Sequence, residues 1–136
     1  MHKLIYALVL VLLSAGCSKT VDQMKENAVI SAMTNGQWKI TSFIDDGANI
    51  TSQFSDYSFQ YHSNKTVDAI KNGLVEKSGT WDGDAIAMTI AASFQSAANP
   101  LNLINGTWHI DRNSWTYVEA SLRIGTTTRT LRLDKL

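Results

Sequence analysis

The sequence has 136 residues, with 12 lysines and arginines against 12 aspartates and glutamates, so its formal net charge is zero. Hydrophobic residues make up 44% and charged residues 18%, a balance that suits one folded domain rather than a disordered chain. Because no basic excess exists to follow a phosphate backbone, the composition argues against nucleic acid as a partner.

The N-terminus has the order of features of an export signal. Lys3 supplies a positive charge, and an apolar run from Leu4 to Leu13 leads to the small residues Ser14–Gly16 before Cys17. The run is too short to span a bilayer, which needs about 20 residues. Cys17 is the only cysteine, so export does not serve a disulfide framework. We therefore expect residues 1–16 to be a signal peptide.

The segment Leu13–Cys17 resembles the bacterial lipobox, in which small residues precede a cysteine that becomes the new N-terminus. The resemblance implies that Cys17 carries a diacylglycerol and an acylated amine, with palmitate among the expected chains. Such chains anchor firmly, since each buried methylene contributes roughly 0.8 kcal/mol. Ser18 is not acidic, which by the best-known sorting rule favours the outer over the inner membrane of the cell envelope. The alternative is an ordinary signal peptide beside an unmodified thiol.

A short helix is predicted within the tether of residues 17–35. Apolar residues recur at helical spacing from Thr20 to Asn35, and a glycine follows where a C-terminal cap belongs. Lys25 lies between the acidic Asp22 and Glu26, so the helix has no basic face for a membrane surface. Packing against the domain is therefore favoured over lying on a bilayer.

After the helix the pattern changes to short runs of alternating apolar and polar residues, rich in aromatic and β-branched types. Asn72-Gly73 and Asp82-Gly83 are typical of tight hairpins, because both residue types tolerate a positive φ. Asp111–Ser114 and Gly125-Thr126 indicate further turns. The eight predicted strands are Gln37–Ile44, Phe54–His62, Thr66–Lys71, Leu74–Trp81, Ala85–Ala91, Gly106–Asp111, Ser114–Ile124 and Thr127–Asp134.

Eight sequential antiparallel strands can remove their exposed edges by closing into an up-and-down barrel. We therefore predict an all-β domain at residues 36–136, an eight-stranded antiparallel barrel preceded by the short helix. The long connection from Ala92 to Asn105 holds the sole proline, Pro100, outside the strands. Its apolar residues, Phe94 and Leu101 among them, predict that it folds over one barrel end as a short helix or lid.

One local pattern, Gly-x-Trp, occurs three times, at Gly36–Trp38, Gly79–Trp81 and Gly106–Trp108. Glycine lets a strand bend at a barrel corner, and the tryptophan two residues later points to the same side of the strand. The repeat indicates architecture rather than chemistry.

A helical segment followed by Gly36–Trp38 resembles the start of the lipocalin barrel, and the lipidated whole is similar to small bacterial lipocalin-like lipoproteins. The resemblance covers residues 36–136. It implies that Trp38 closes one barrel end beneath an arginine from a late strand, for which Arg129 and Arg132 are the candidates.

An aromatic face is predicted on the second strand, because aromatic and polar residues alternate there and the rings are expected to point inward. Such rings can line a pocket for an apolar or ring-bearing ligand. The alternative is that they fill the barrel, which eight strands allow. The candidate ligand-binding residues are Tyr57, Phe59, Tyr61, Phe94, Leu101, Trp115 and Tyr117.

The segment Ser114–Ile124 changes phase, since Trp115 and Tyr117 share one side whereas the later apolar residues share the other. A bulge near Tyr117 or Val118 would return both sets to the core. A strand covered on both faces is the alternative.

No metal, cofactor or catalytic residue is predicted. His62 and His109 fall on outward positions without further ligands at zinc spacing. Asp45–Gly47 and Asp82–Asp84 lack the acidic loop that calcium favours and are explained as turns. No nucleophile, phosphate-loop or metalloprotease motif occurs, so we expect a protein that is not an enzyme.

The leading hypothesis from the sequence is a non-catalytic, lipid-anchored envelope protein whose barrel binds a small hydrophobic ligand. The alternative is a protein-interaction module, such as an envelope assembly or inhibitor lipoprotein, which uses its outer face and the Asp45–Gln53 loop. An interior cavity on the order of a few hundred Å³ would favour the first, and a closed, ring-filled interior the second.

Overall fold

The computed structural model describes residues 20–136, so the predicted signal peptide and Cys17 lie outside the described residues. A helix, α1, covers residues 20–34. It confirms the predicted helix. No helix in the described part of the chain is both long and apolar enough to cross a membrane. The strands that follow are β1 (Trp38–Asp45), β2 (Ala48–Asn49), β3 (Tyr57–Tyr61), β4 (Thr66–Lys71), β5 (Leu74–Asp84), β6 (Thr89–Ser93), β7 (Gly106–Asn113), β8 (Tyr117–Ile124) and β9 (Thr127–Lys135), with 3-10 helices at Thr51–Phe54 and Leu101–Ile104.

Eight of these strands form a closed antiparallel barrel. Strands β3 to β9 pair in chain order, and β1 pairs with both β3 and β9 to close the ring. The two residues of β2 pair only with the end of β1. The predicted all-β, eight-stranded up-and-down barrel is therefore confirmed.

The antiparallel order sorts the connections to two ends of the barrel. One end, the helix end, carries α1, the start of β1, the β3–β4, β5–β6 and β7–β8 turns and the end of β9. The opposite end, the loop end, carries the chain between β1 and β3, the β4–β5 and β8–β9 hairpins and the long connection from β6 to β7. The two ends therefore present different surfaces.

Turn chemistry predicted two hairpins correctly and misplaced one. Asn72 and Gly73 have φ of 51° and 80° at the β4–β5 hairpin, and the chain also turns at Gly125. The predicted hairpin at Asp82-Gly83 is wrong, because β5 continues to Asp84 and the chain turns at residues 85–88. Gly83 instead lies beneath α1, where an added Cβ would come within 2.8 Å of the Val29 Cγ1 atom.

The β7–β8 region corrects a second expectation. Strand β7 continues to Asn113, so the chain turns at residues 114–116, later than the predicted turn at Asp111–Ser114. The register shift lies in β7, between Ile110 and Arg112, whereas β8 pairs with β9 without interruption. The predicted bulge near Tyr117 or Val118 is therefore absent from the β8–β9 pairing.

The three tryptophans of the Gly-x-Trp pattern are buried in the core. Each indole Nε1 donates to a backbone carbonyl of a neighbouring connection. Trp38 bonds to Met33 of α1 at 2.9 Å, and Trp81 bonds to His62 of the β3–β4 turn at 2.9 Å. Trp108 bonds to Ile104 of the second 3-10 helix at 2.7 Å. The pattern thus ties the barrel wall to the segments that cover its ends.

Candidate functional site

The barrel interior is the first candidate site. It holds an apolar cavity of about 20 Å³, a volume that accommodates roughly one water molecule. The cavity walls come from β1, β3, β6, β7, β8 and β9 and the second 3-10 helix, with Ile40, Phe59, Tyr61, Trp108 and Leu131 among the lining residues. In this conformation the interior is packed rather than hollow.

The predicted aromatic face of β3 points inward as expected. Tyr57, Phe59 and Tyr61 are all buried, and the Tyr57 and Phe59 rings stack with centroids 6.2 Å apart. The Tyr61 ring meets Trp81 edge-on at 5.3 Å. These contacts show that three of the seven candidate residues fill the barrel together.

Phe94 and Leu101 are also buried, and they belong to the segment between β6 and β7, residues 94–105, which we call the cover. The cover contains the 3-10 helix Leu101–Ile104 and closes the loop end, as predicted for this connection. Phe94 lies 6.4 Å from Phe59 between ring centroids, so the cover packs directly on the aromatic face.

Asn105 joins the two ends of the cover. Its side-chain Oδ1 accepts from the Phe94 backbone N–H at 2.7 Å, and its Nδ2 donates to the Phe94 carbonyl oxygen at 3.1 Å. One amide side chain therefore pairs with both backbone groups of Phe94, and the Phe94 carbonyl oxygen also accepts from the Ala97 N–H at 3.4 Å. Sequence reasoning missed this residue, because an asparagine before glycine signals only a turn.

Trp115 and Tyr117 do not join the other candidates, which corrects their expected inward orientation. The register of β8 puts Val118 and Ala120 inside, so Tyr117 faces outward, where the Arg132 guanidinium lies 4.4 Å from its ring centroid. Trp115 lies in the β7–β8 turn and is 62% exposed. The alternation along β8 explains the position of Tyr117, and Trp115 precedes that strand.

The arginine expected above Trp38 is a lysine. Lys135 Nζ lies 5.0 Å from the Trp38 ring centroid. Arg129 instead pairs with Asp45 at 2.8 Å, and Arg132 bonds to Glu119 and Asp134 on the outer surface. Neither arginine therefore takes the role that the lipocalin resemblance implied.

Two interior tyrosines have perturbed acidities. Desolvation by burial raises the pKa of the Tyr61 hydroxyl. Burial, together with a hydrogen bond to Glu76, raises the pKa of Tyr57 to about 12. Both phenols stay protonated near neutral pH, so neither supplies a base.

A histidine, an aspartate and a serine meet on the outer face of the barrel. His62 Nε2 lies 2.8 Å from Asp68 Oδ2, and Ser78 Oγ donates to Asp68 Oδ1 at 2.6 Å. These hydrogen bonds lower the pKa of Asp68, with the Ser78 bond contributing most. The carboxylate stands between the other two groups, so the serine does not contact the imidazole that would have to take its proton.

The remaining histidine, His109, pairs with Asp111 at 3.1 Å on the surface. Within residues 20–136, no group of three or more histidine, cysteine or acidic side chains is arranged to hold a metal ion.

The loop end offers a groove of about 220 Å³ between the start of β5 and the cover. Glu76, Lys77, Asn99 and Leu101 line it, so it combines charged, polar and apolar groups. Beside it, Leu74 on the β4–β5 hairpin is 76% exposed. Val75 next to it is 57% exposed, so this groove has an aliphatic edge that is open to solvent.

Solved structures with a similar fold include the two proteins that follow. A DUF4847 family protein from Bacteroides vulgatus matches with a TM-score of 0.56 and 11% identity over 78% of this chain and 96% of its own. Japanin from Rhipicephalus appendiculatus, in a structure bound to cholesterol, matches with a TM-score of 0.53 and 6% identity over 77% of each chain. The fold is a lipocalin-like barrel. No family model and no curated protein matches the sequence.

Proposed function

We propose that this protein is a non-catalytic lipoprotein of the bacterial cell envelope that acts as a protein-interaction module. The observation that carries the proposal is the filled interior of its lipocalin-like barrel. A cavity of about 20 Å³ stands far below the roughly 300 to 1,000 Å³ of ordinary small-molecule sites. The outer surface is therefore the part of the barrel that is open to a partner.

The proposed anchor is the lipid on Cys17, supported by the export-type N-terminus and the lipobox-like Leu13–Cys17 segment. Two or three acyl chains hold a protein on a membrane durably. The outer membrane is the favoured location, because the residue after Cys17 is serine rather than an acidic residue.

The proposed partner is another envelope protein, and the loop end is its proposed docking surface. Cys17 precedes the start of α1 by three residues, and α1 lies at the opposite end of the barrel, so the loop end is free to face away from the proposed anchor. Leu74 and Val75 are exposed there beside the groove lined by Glu76 and Lys77. This combination of an aliphatic contact and flanking charges supports a protein rather than a small molecule as the occupant.

Site-specific photo-crosslinking in the native envelope tests the docking surface. A photoreactive amino acid at position 74 is expected to capture one defined protein, and the same group at Asp82, an exposed position of β5, serves as the control. Loss of the adduct on nearby Glu76→Lys substitution would support a specific contact. Equal labelling from both positions, or none from position 74, would contradict the proposal.

Binding of a small hydrophobic ligand is the second candidate function. It is favoured by the similarity to a barrel whose structure contains cholesterol, and by the apolar interior lined by Phe59, Tyr61 and Trp108. Such a ligand would have to displace the cover, because Phe94 and Leu101 close the loop end. Native mass spectrometry of protein purified from its own envelope distinguishes the two functions, since a retained small molecule would favour ligand binding.

A further inference from the structure

We propose that the helix end of the barrel docks on the surface of a neutral lipid bilayer, with the exposed half of α1 and Trp115 in contact with lipid. This inference rests on the proposed lipid anchor at Cys17. It adds a second, protein-mediated contact that fixes the orientation of the barrel on the membrane.

The first observation is a row of apolar residues along one face of α1. Its C-terminal part packs on the barrel, and its N-terminal part extends beyond the barrel into solvent. Val21, Met24, Ala28 and Ala32 are three or four residues apart and therefore share one helix face. At the C-terminal end of the helix, Met33 is buried against the core. Toward the N-terminus, Val21 and Met24 are 49% and 65% exposed, so the described residues leave much of this part of the row open to solvent.

The second observation is a tryptophan beside the same row. Trp115 lines an open groove of about 340 Å³ together with Ala28, Val29 and Ala32 of α1. It is the only exposed tryptophan of the four in the sequence, because the other three are buried. Tryptophan has an apolar ring and a polar N–H, a combination enriched where proteins meet the membrane–water boundary.

The third observation identifies bilayer as the occupant. Three residue steps separate Cys17 from residue 20, where the described helix begins, and such a segment reaches at most about 11 Å. From residue 20 to Ala28 the helix rises about 12 Å. A lipid on Cys17 therefore keeps Val21, Met24 and the neighbouring Trp115 within a short distance of the membrane surface.

Charge argues for a neutral surface rather than an anionic one. On the exposed part of α1, Lys25 stands between Asp22 and Glu26, so no basic face attracts anionic headgroups. Lys65 at the same barrel end pairs with Asp82 at 2.9 Å. Contact through apolar side chains is consequently expected to be insensitive to salt, unlike contact through charge.

Tryptophan fluorescence of the full lipidated protein in phosphatidylcholine vesicles tests the proposal. We expect the Trp115 emission to shift to the blue in ordinary vesicles and to be quenched when the lipid tails are brominated. Trp115→Phe should remove both changes, and a Val21→Ser, Met24→Ser double variant should reduce the quenching. Ile124→Ser, a change at a 51% exposed aliphatic residue of the β8–β9 hairpin at the loop end, should leave the quenching unaltered.

Co-flotation with the vesicles separates the anchor from the docking. Protein that floats without quenching of Trp115 would overturn the docking and leave the anchor intact, whereas protein that does not float would overturn both. A blue shift of the same size without quenching would mean that protein covers Trp115, either a partner or a second copy, and would overturn the bilayer as occupant. Quenching that disappears in high salt would overturn the apolar mode of contact.

Discussion

The ammonium group of Lys135 lies 5.0 Å from the centre of the Trp38 ring and also donates to the Ala32 carbonyl oxygen at 3.1 Å. Trp38 in turn donates from its indole N–H to the Met33 carbonyl oxygen at 2.9 Å. The two residues are paired across β1 and β9, where the barrel closes. One lysine and one tryptophan thus join the first strand, the last strand and α1 at the helix end.

Trp38→Ala should destabilise the protein severely. The side chain is fully buried, and truncating a buried tryptophan costs about 3 to 5 kcal/mol, a large share of the stability of a small domain. Thermal unfolding followed by circular dichroism should show a marked fall in Tm. Trp115→Ala removes an exposed ring and is the matched control, expected to change Tm little. A Trp38→Ala protein that melts with the wild type would contradict the buried role.

Lys135→Met should lower the free energy of unfolding by about 1 kcal/mol, the size of a partly exposed cation–π contact, since the aliphatic stem is retained and the charge is lost. Urea unfolding measures the change, and Lys25→Met on the exposed part of α1 is the control. The resemblance to lipocalins predicts instead that an arginine of β9, Arg129 or Arg132, lies above Trp38. No measurable effect of Lys135→Met would argue against the contact.

Local patterns in the sequence predicted the barrel, and long-range packing explains what they missed. The alternation of Tyr57, Phe59 and Tyr61 is a property of one strand and correctly predicted an inward aromatic face. Gly83 looked like a turn residue because its packing partner, Val29, lies on a distant helix. Likewise Lys135 and Ala32 are 103 positions apart, so no window of sequence reveals their contact.

The candidate site was harder to predict than the fold for the same reason. Whether aromatic rings line a pocket or fill it depends on how the two barrel ends are closed, and that depends on the cover and on α1. Trp115 illustrates the difficulty, because it lies in the β7–β8 turn, outside the strand whose alternation would set its orientation. The alternation alone left both orientations open.

Acid should destabilise the protein, in part through Asp134. Hydrogen bonds from Arg132 and, more weakly, from Thr41 hold the pKa of Asp134 below its ordinary value of 3.8. At pH values between this lowered pKa and 3.8, the folded protein therefore binds fewer protons than the unfolded chain. The stabilisation is present above the ordinary value and is lost as the pH falls toward the folded-state pKa. Urea unfolding at several pH values should show this loss.

Asp134→Asn is the variant that isolates this contribution. It should be less stable than the wild type at neutral pH and should lose less of its remaining stability on acidification. Asp22→Asn, on the exposed part of α1, is the control and should keep the wild-type dependence on pH. Parallel pH profiles for the wild type and Asp134→Asn would show that the Arg132 contact contributes nothing in solution.

Cys17→Ala tests the lipid anchor directly. Without the thiol no diacylglycerol can be attached, so metabolic labelling with a palmitate analogue should fail and the protein should leave the membrane fraction. Ser18→Ala changes the neighbouring residue and should keep both the label and the membrane partition. Unchanged acyl labelling of Cys17→Ala would rule out Cys17 as the attachment site.

The cover determines whether the barrel can admit a small molecule, and a fluorescent fatty acid titrated into the wild type should show no saturable binding. The physical reason is that the interior cavity of about 20 Å³ has no room for an acyl chain while Phe94 and Leu101 stay in place.

A Phe94→Ala, Leu101→Ala double variant that remains folded should gain binding, because vacated apolar volume readily takes up apolar molecules. Asn105→Ala should have a weaker effect in the same direction, since it removes the acceptor for the Phe94 N–H and one of the two donors to the Phe94 carbonyl oxygen, which favours an open cover. Asn99→Ala, a side-chain truncation elsewhere in the cover at a residue that lines the outer groove, is its control. Saturable binding by the wild type, altered by the double variant, would instead establish the cover as a lid and move the preferred function from the interaction module to ligand binding. Wild-type binding that the double variant leaves unchanged would place the ligand entrance elsewhere on the barrel.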